Sequence, residues 1–421
     1  MGARSFPEIL SMNCPADLRT GPAAGRPRTA PAPALTPALT MFFSATVGVI
    51  VLNLFAAQPL TGPIAAELRL PASLTGLVAM LPQLGYAAGL ALLVPLVDLL
   101  ENRRLIVTTL AVCAATLALP AVTRSGAVYL AAVFAAGAAS MAPDERRGRA
   151  VGNVMSGLML GILLSRPLAS LIAGAAGWRA FYGAAAAADI AIAAVLAAKL
   201  PLRAPQLSTR YAALLRSLWT LVATERVLQR RALSAALSMA AFSAFWTAIG
   251  LRLAAAPFDL GLHGIAMFAF AGATGAIVTP FAGLAGDRGR ERDALRGAHV
   301  AMLAALAALG VAGAGWGGFD AAAHPALALA LLVAGAAALD AGVVADQTLG
   351  RRAINLLDPA MRGRLNGLFV GLFFVGGSLG AVLAGAAWAW AGWGAVCAVG
   401  LVFAGAAFAL DWIGAHGPAP R

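Results

Sequence analysis

Apolar runs of helix length recur along almost the whole chain, separated by short polar gaps. A helix needs roughly 20 apolar residues to cross the hydrocarbon core of a bilayer. With 61% hydrophobic and 11% charged residues, the chain lacks the polar surface that a soluble protein of this length requires. We therefore predict an all-α membrane protein with twelve spans, at about 41–62, 74–97, 104–123, 126–142, 150–174, 179–199, 232–255, 262–285, 295–315, 324–346, 366–389 and 393–413.

A short basic motif occurs twice, 215 residues apart, each time before an apolar span. Its two copies are Arg147-Gly148-Arg149 and Arg362-Gly363-Arg364, and charged loops occur earlier in both halves, at 98–104 and 287–292. Internal symmetry in a hydrophobic chain is typical of transporters built from two parallel repeats. We predict six-helix bundles at 41–200 and 232–415, related by a pseudo-two-fold axis, with a linker at 201–231 that contains an amphipathic helix.

The distribution of basic residues predicts how the chain is oriented. If residues 1–40 lie in the cytoplasm, 25 of the 30 Arg and Lys residues fall in the tails and cytoplasmic loops. The positive-inside rule then places both termini in the cytoplasm. The net charge of +12 is spread over these loops, so it gives no indication of nucleic-acid binding. Residues 1–40 are expected to form a disordered tail, or to precede a later start at Met12 or Met41.

The fourth span is short. Its apolar stretch, residues 127–142, would reach only about 24 Å as a helix, which is marginal for a bilayer. The interval from Asp98 to Arg147 is 49 positions, whereas the matching interval from Asp287 to Arg362 is 75. A loss of residues in the first half would put transport in doubt.

One recognisable sequence pattern occurs in two loops. These are the loop between spans 2 and 3 (loop 2–3) and the loop between spans 8 and 9 (loop 8–9). The later copy has Gly283, Asp287, Arg288 and Arg290, and the earlier one has Asp98, Arg103 and Arg104, with Glu101 where the pattern has its second glycine. In this respect the chain resembles the major facilitator superfamily, whose loops follow Gly-x-x-x-Asp-Arg/Lys-x-Gly-Arg/Lys-Arg/Lys. The resemblance covers about residues 41–413.

Three shorter segments resemble bacterial efflux permeases of the sugar and drug exporter type within that superfamily. They are 53–60, 83–86 and the stretch from Gly157 to Arg166-Pro167, where Arg166 replaces a glycine of the antiporter element. The resemblance implies a non-enzymatic secondary transporter in the bacterial inner membrane. It would export a small organic molecule, drug-like or sugar-like, by proton antiport, and would act as a monomer without cofactor or metal. An uptake permease and a relative without transport activity are the alternatives.

Ionisable residues within membrane spans are costly and often functional. Arg166 lies in span 5, and its alternatives are binding of an anionic substrate or a structural ion pair. Asp340 and Asp346 are the candidates for proton coupling, and their spacing of six residues on one helix points them in different directions. Asp340 could change its protonation near Arg166, or form a permanent ion pair with it. For Asp189 we expect a packing or hydrogen-bond role, and for His299 a structural one.

Polar side chains on spans 1, 2, 7 and 8 are further candidates for the substrate pathway, because these spans line the cavity in the family. Each could instead join neighbouring helices through hydrogen bonds. These residues are Asn53, Gln58, Gln83, Tyr86, Trp246, Thr247 and Thr274.

The charged loops are candidates for a cytoplasmic gate. Their acidic and basic residues could pair with one another and with helix dipoles, and so hold the outward-facing state closed. Positive-inside topology alone would also explain the arginines, but not two aspartates in matching places. The candidates are Asp98, Arg103, Arg104, Arg149, Gly283, Asp287, Arg288, Arg290 and Arg364.

Overall fold

The computed structural model describes residues 37–140, 148–200, 210–358 and 361–415, and this part of the chain is almost entirely helical. Of the predicted tail, residues 1–36 lie outside the described residues, and residues 37–40 already belong to the first helix. The helices are α1 (Pro37–Phe55), α2 (Thr61–Glu67), α3 (Leu77–Leu92), α4 (Asn102–Val122), α5 (Gly126–Ala139), α6 (Gly148–Ala176), α7 (Trp178–Lys199), α8 (Tyr211–Thr224), α9 (Arg226–Ala254), α10 (Leu262–Ala269), α11 (Thr274–Asp287), α12 (Glu291–Ala314), α13 (Pro325–Asn355) and α14 (Arg362–Ala415).

Within the described ranges, nine helical segments are long and apolar enough to cross a membrane. Two shorter apolar helices are also present in these ranges. They are the part of α1 over Met41–Phe55, and α5, Gly126–Ala139. The last long segment has non-helical backbone at Ala391 and Gly392, where the sequence predicted the gap between two spans. The all-helical membrane fold is therefore confirmed, while the number of twelve crossings stays a prediction.

Both halves use the same close helix contact. In the first half, a side chain at Gly161 would overlap the backbone of Gly48, so that α1 and α6 touch directly. In the second half, Gly376 and Gly380 lie in the same way against the backbone of α9. Small residues allow such approach because no side chain separates the helix backbones. The repeat seen in the sequence thus reappears as equivalent packing of α1 on α6 and of α9 on α14.

Several predicted spans are divided in the structure. The eighth span, expected as one helix over 262–285, consists of α10, a 3₁₀ segment at Phe270–Ala273 and α11. The first span ends at Phe55, and residues 56–60 lead through a turn into α2. Helix α3 ends at Leu92 and is followed by a 3₁₀ segment, Val94–Asp98. The linker helix is α8, and the last residues assigned to the linker begin α9 instead.

Local chemistry explains how the two charged loops turn. Glu101 caps α4, its carboxylate accepting hydrogen bonds from the backbone N–H groups of Arg103 at 3.0 Å and Arg104 at 2.8 Å. A carboxylate in this position also faces the positive end of the helix dipole. In loop 8–9, Gly289 has φ +72°, a conformation that favours glycine. The two loops therefore turn by different means.

Helix α5 is as short as the sequence indicated. It covers 14 residues, Gly126–Ala139, which is about 21 Å at the usual helical rise. It nevertheless packs closely on α3, because side chains at Gly85, Gly89 and Gly137 would each collide with backbone of the other helix. The short helix is thus a tightly fitted part of the first half.

The two halves meet closely at one end of the molecule. Gly76, before α3, lies against Ala381 and Gly385 of α14, and Gly62 of α2 lies against Leu251 of α9. The charged loops 2–3 and 8–9 lie at the other end, which we call the basic face. Contacts between the halves thus close the end opposite the basic face.

Candidate functional site

Arg166 of α6 is buried between the two halves, with 2% of its surface exposed. Its guanidinium carbon lies 5.3 Å from the ring centre of Phe55, 4.9 Å from that of Phe242 and 4.2 Å from that of Trp246. A desolvated cation–π contact contributes about 2 kcal/mol or more. Its Nε donates a 2.8 Å hydrogen bond to Oε1 of Gln58. Three rings and one amide therefore hold a cation at membrane depth.

Asp340 of α13 approaches the same place from the second half. Its exposed fraction is 4%, and Trp246 Nε1 donates a 2.8 Å hydrogen bond to its Oδ1. Asp340 and Arg166 interact electrostatically, so each lowers the cost of burying the charge of the other. Trp246 contacts both, through its ring face and its N–H. A positive and a negative group from opposite halves thus share one enclosed site.

The broken eighth span brings a glycine close to both of these charges. Gly272 lies in its 3₁₀ segment, and a side-chain carbon there would lie 2.8 Å from Asp340 Oδ2 and 3.8 Å from Arg166 Nη1. A 3₁₀ stretch inside a longer helix often marks a functional hinge. Arg166 Nη2 is buried without a hydrogen-bond partner in the described structure. The site therefore contains a buried hydrogen-bond donor that no group of the described structure satisfies.

Aromatic rings close the site on one side. Phe55 packs edge-on against Phe242 at 6.4 Å and lies 5.9 Å from Phe374, whose ring is 4.8 Å from that of Tyr86. These rings come from α1, α9, α14 and α3, so both halves contribute. The layer is apolar, and it places Tyr86 two rings away from Arg166 rather than beside it.

The remaining predicted pathway residues occupy three different environments. Gln83 joins the halves, because Ser243 Oγ donates a 3.1 Å hydrogen bond to its Oε1. Thr274 donates to the backbone oxygen of Ala337 at 2.8 Å, within the second half. Thr247 is buried on α9, and its hydroxyl has no partner in the described structure. Asn53 lines a small cavity inside the first half, together with Ser140 and Tyr182.

The two candidate coupling carboxylates are separated as the helix geometry predicted. Asp346 does not face Arg166. It accepts hydrogen bonds from Ser234 at 3.1 Å and Ser238 at 2.7 Å, inside the second half. Asp189 is buried in the first half, beside the thiol of Cys113.

The gate candidates are arranged differently from the expected pairs. Asp287 Oδ1 accepts hydrogen bonds from Arg352 of α13, at 3.2 Å from Nε and 3.1 Å from Nη2. Arg288 ends α11, Arg290 precedes α12 and Arg364 lies in the first turn of α14. A side chain at Gly283 would meet open space. The side chains of Asp98 and Arg149, and all of Arg147, lie outside the described residues.

Sequence reasoning missed several members of the site. Phe55 and Phe242 read as ordinary apolar span residues, and Gly272 as one of many glycines. Arg352 could have been found from the sequence, since it follows span 10 next to a second arginine, Arg351. Its distance of 65 positions from Asp287 concealed the pair.

A further polar group lies at the end of the molecule opposite the basic face. Glu67 accepts a 2.6 Å hydrogen bond from Trp178 Nε1 and forms an ion pair with Arg179. Arg179 also donates to the backbone oxygen of Thr123 at 2.8 Å. The hydrogen bond from Trp178 and the nearby arginine hold the pKa of Glu67 below its usual range. This group ties α2 to α4 and α7.

Comparisons with known proteins agree with this architecture. Residues 38–354 match the family model described as Major Facilitator Superfamily. The uncharacterized transporter YgaY of Escherichia coli O157:H7 is 33% identical over 400 residues, covering 92% of this chain and 98% of the relative. The fold is similar to that of the nucleoside transporter NupG, with a TM-score of 0.66 and 15% identity, covering 89% and 97% of the two chains. A bacterial homolog of the human lysosomal transporter Spinster gives a TM-score of 0.66 at 15% identity, covering 89% and 95%.

Proposed function

Because this chain belongs to the major facilitator superfamily and is a multi-pass membrane transporter, we propose that it exports a small organic molecule in exchange for protons. The observation that carries the proposal is the enclosed site in which Arg166 and Asp340, from opposite halves, both lie close to Gly272 of the broken eighth span. In this proposal the protein lies in a bacterial inner membrane, works as a monomer and has both termini in the cytoplasm.

The site supports alternating access because its charged members belong to different halves. If the halves rock about the site, Asp340 moves relative to Arg166 and to Trp246. A substrate group that donates a hydrogen bond to the ionised carboxylate of Asp340 competes with a proton for that carboxylate. Binding of the proton removes the charge and releases the substrate, and loss of the proton allows the next substrate to bind. Such competition between proton and substrate is the requirement for antiport.

The walls of the site restrict the substrate class. Phe55, Phe242 and Trp246 present ring faces and edges, which favour an apolar or aromatic body. The unpartnered Nη2 of Arg166 favours a hydrogen-bond acceptor or an anionic group on that body. A drug-like molecule with one such group fits both conditions better than a small sugar does.

We assign the pair of Asp287 and Arg352 to the gate at the basic face. It joins the end of α11 to α13 across 3.1 Å, and both groups are accessible to solvent. Asp287→Asn is expected to slow transport several-fold without preventing insertion, since exposed pairs contribute at most about 1 kcal/mol to folding. Initial rates in vesicles, normalised to the amount of inserted protein, measure this. A rate equal to that of wild type would remove Asp287 from the gate.

Proteoliposomes with an imposed proton gradient test the proposal directly. A panel of fluorescent dyes, drugs and sugars is followed with and without an uncoupler, and wild type is expected to move at least one compound only while the gradient exists. Asp340→Asn is expected to abolish the proton dependence while binding of the compound, measured by thermal shift in detergent, survives.

The matched control is Asp346→Asn, the same change six residues along the same helix. It is expected to retain proton-driven flux, because Asp346 faces Ser234 and Ser238 rather than Arg166. Proton-driven flux that is unchanged in Asp340→Asn, or lost only in Asp346→Asn, would refute the assignment of Asp340. Movement of the compound together with protons, in the same direction, would indicate an uptake permease instead.

A second candidate is a protein of this fold without transport activity. The observation that favours it is the length of α5, 14 residues. Extending α5 by two helical turns at residues 141–147 is the discriminating change. Activity that appears only in the extended chain would support this candidate, whereas flux in the wild-type chain would exclude it.

A further inference from the structure

His299 is buried in the second half, near the basic face and outside the Arg166 site. Its exposed fraction is 0%, and those of Asp346 and Asp411 are 1% and 7%. The Nε2 atom of His299 lies 3.7 Å from Asp346 Oδ1, and its Nδ1 atom lies 3.5 Å from Asp411 Oδ2. The imidazole ring of α12 therefore lies between carboxylates from α13 and α14.

This arrangement does not suit a neutral imidazole. A neutral ring has one N–H donor and one nitrogen lone pair, whereas ionised carboxylates only accept hydrogen bonds. Either tautomer of His299 would direct its lone pair at a carboxylate oxygen. Neither ring nitrogen, nor Asp411 Oδ2, has a hydrogen-bond partner in the described structure. One added proton gives both carboxylates a donor, so the geometry favours a protonated triad.

The charges around the triad also favour one bound proton. Arg231 lies 3.3 Å from Asp411 Oδ1 and 2.8 Å from Glu291 Oε1, and Arg230 lies 3.4 Å from Asp411 Oδ1. In the described structure, the charged groups around His299 are therefore three carboxylates and two guanidinium groups. The carboxylates are those of Asp346, Asp411 and Glu291, and the guanidinium groups are those of Arg230 and Arg231. A single proton makes the cluster neutral, which lowers the cost of burying it. Ser234 and Ser238 hold Asp346 in place from α9.

We propose that His299, Asp346 and Asp411 form a second proton-binding site, whose occupation stabilises the packing of α9, α12, α13 and α14. The proton belongs to the triad as a unit, because the ring of His299 lies within 3.7 Å of both carboxylates. The proposal does not depend on Asp340 or on the direction of transport. It assigns His299 a function beyond structural packing.

The same atoms could bind a divalent metal ion, since the three residues offer ligand atoms within 4.8 Å of one another. Two positive charges added to this cluster would leave it net positive, with Arg230 and Arg231 adjacent to Asp411. A proton avoids this excess. The metal is therefore an outcome that the experiment must distinguish.

Thermal unfolding of the purified full-length protein in detergent tests the proposal. A proton bound only by the folded form stabilises it as the pH falls, and this stability is lost as the pH rises. Wild type is expected to melt a few degrees higher near about pH 6 than near about pH 8, the range in which histidines titrate. His299→Gln is expected to lose this difference. The matched control is His263→Gln, which changes an exposed histidine in the first turn of α10. This variant should retain the difference in melting temperature between the two pH values.

Nitrogen NMR of protein labelled at histidine provides a second measurement, which reports the protonation state of each imidazole ring directly. An imidazolium signal that persists near about pH 7 and disappears only in His299→Gln would support the site. A neutral ring at His299 throughout the range, or a pH dependence of melting unchanged in His299→Gln, would overturn the proposal. So would stabilisation of wild type by zinc that a chelator reverses, because it would identify a metal site.

Discussion

At the scale of single residues, the two buried charges of the candidate site have a definite set of neighbours. Arg166 has three aromatic rings and Gln58, and Asp340 has the N–H of Trp246. Burial of an isolated charge in low dielectric is prohibitive, so these neighbours are a condition of folding as well as candidates for function. The same groups can serve both purposes because the site lies between the two halves.

Gly272 offers a test of the site that leaves every polar group unchanged. In Gly272→Ala the added methyl group would lie 2.8 Å from Asp340 Oδ2, so the carboxylate must move away from Arg166. We expect transport to fall at least about ten-fold, with a folding cost of about 1–3 kcal/mol from overpacking. Flux assays measure the first effect and thermal unfolding the second. Gly297→Ala, which meets open space on α12, is the control and should be close to wild type.

Glu67 predicts an acid-side loss of stability. Because its folded-state pKa is lowered, its contribution is present above the unfolded pKa and is lost as the pH falls through the folded value. The side chain is 52% exposed, so we expect an effect of at most about 1 kcal/mol. Melting curves of wild type and Glu67→Gln should therefore differ at neutral pH and converge in acid. Equal curves at neutral pH would show that the group adds nothing.

At the scale of helices, glycine positions decide which elements approach one another. The contacts of α1 with α6 and of α9 with α14 depend on glycines that lie against facing backbone. No hydrophobic force favours one helix pair over another in lipid, so close backbone packing is an important part of the specificity. The broken span at Phe270–Ala273 is the exception, because it gives up helical regularity beside the charged site.

Gly380 allows this packing to be measured. A side-chain carbon at Gly380 would overlap the backbone of Ala240, and backbone cannot move aside as a flexible side chain can. Gly380→Ala is expected to destabilise the protein by about 1–3 kcal/mol and lower its melting temperature in detergent. Gly405→Ala on the same helix meets open space and should melt like wild type. A wild-type melting temperature for Gly380→Ala would contradict the close contact.

At the scale of the whole molecule, two similar halves pack closely at one end and carry their charged loops at the other. The positive-inside rule predicts that this basic face is cytoplasmic. Single cysteines at Arg103 and Arg288, in a chain without native cysteines, should react with a membrane-impermeant reagent only from the cytoplasmic side. One at Arg124 should react only from outside. Labelling of Arg103 and Arg288 from opposite sides would refute the predicted orientation.

The sequence by itself determined the fold class and the family. Apolar length and composition are local properties, and a bilayer admits few structures other than helices for such segments. Three further features were predictable because each depends on residues that are close in the sequence. They are the break at Ala391 and Gly392, the short α5, and the different directions of Asp340 and Asp346 on one helix.

Only the tertiary structure decided which side chains meet. The rings around Arg166, the pair of Asp287 with Arg352 and the position of His299 between Asp346 and Asp411 join residues from separate helices. A periodic apolar pattern shows that a helix is buried, but its buried face can turn towards several neighbours. The choice among them depends on close packing and on the partners available to each buried charge, which exist only when the helices are assembled.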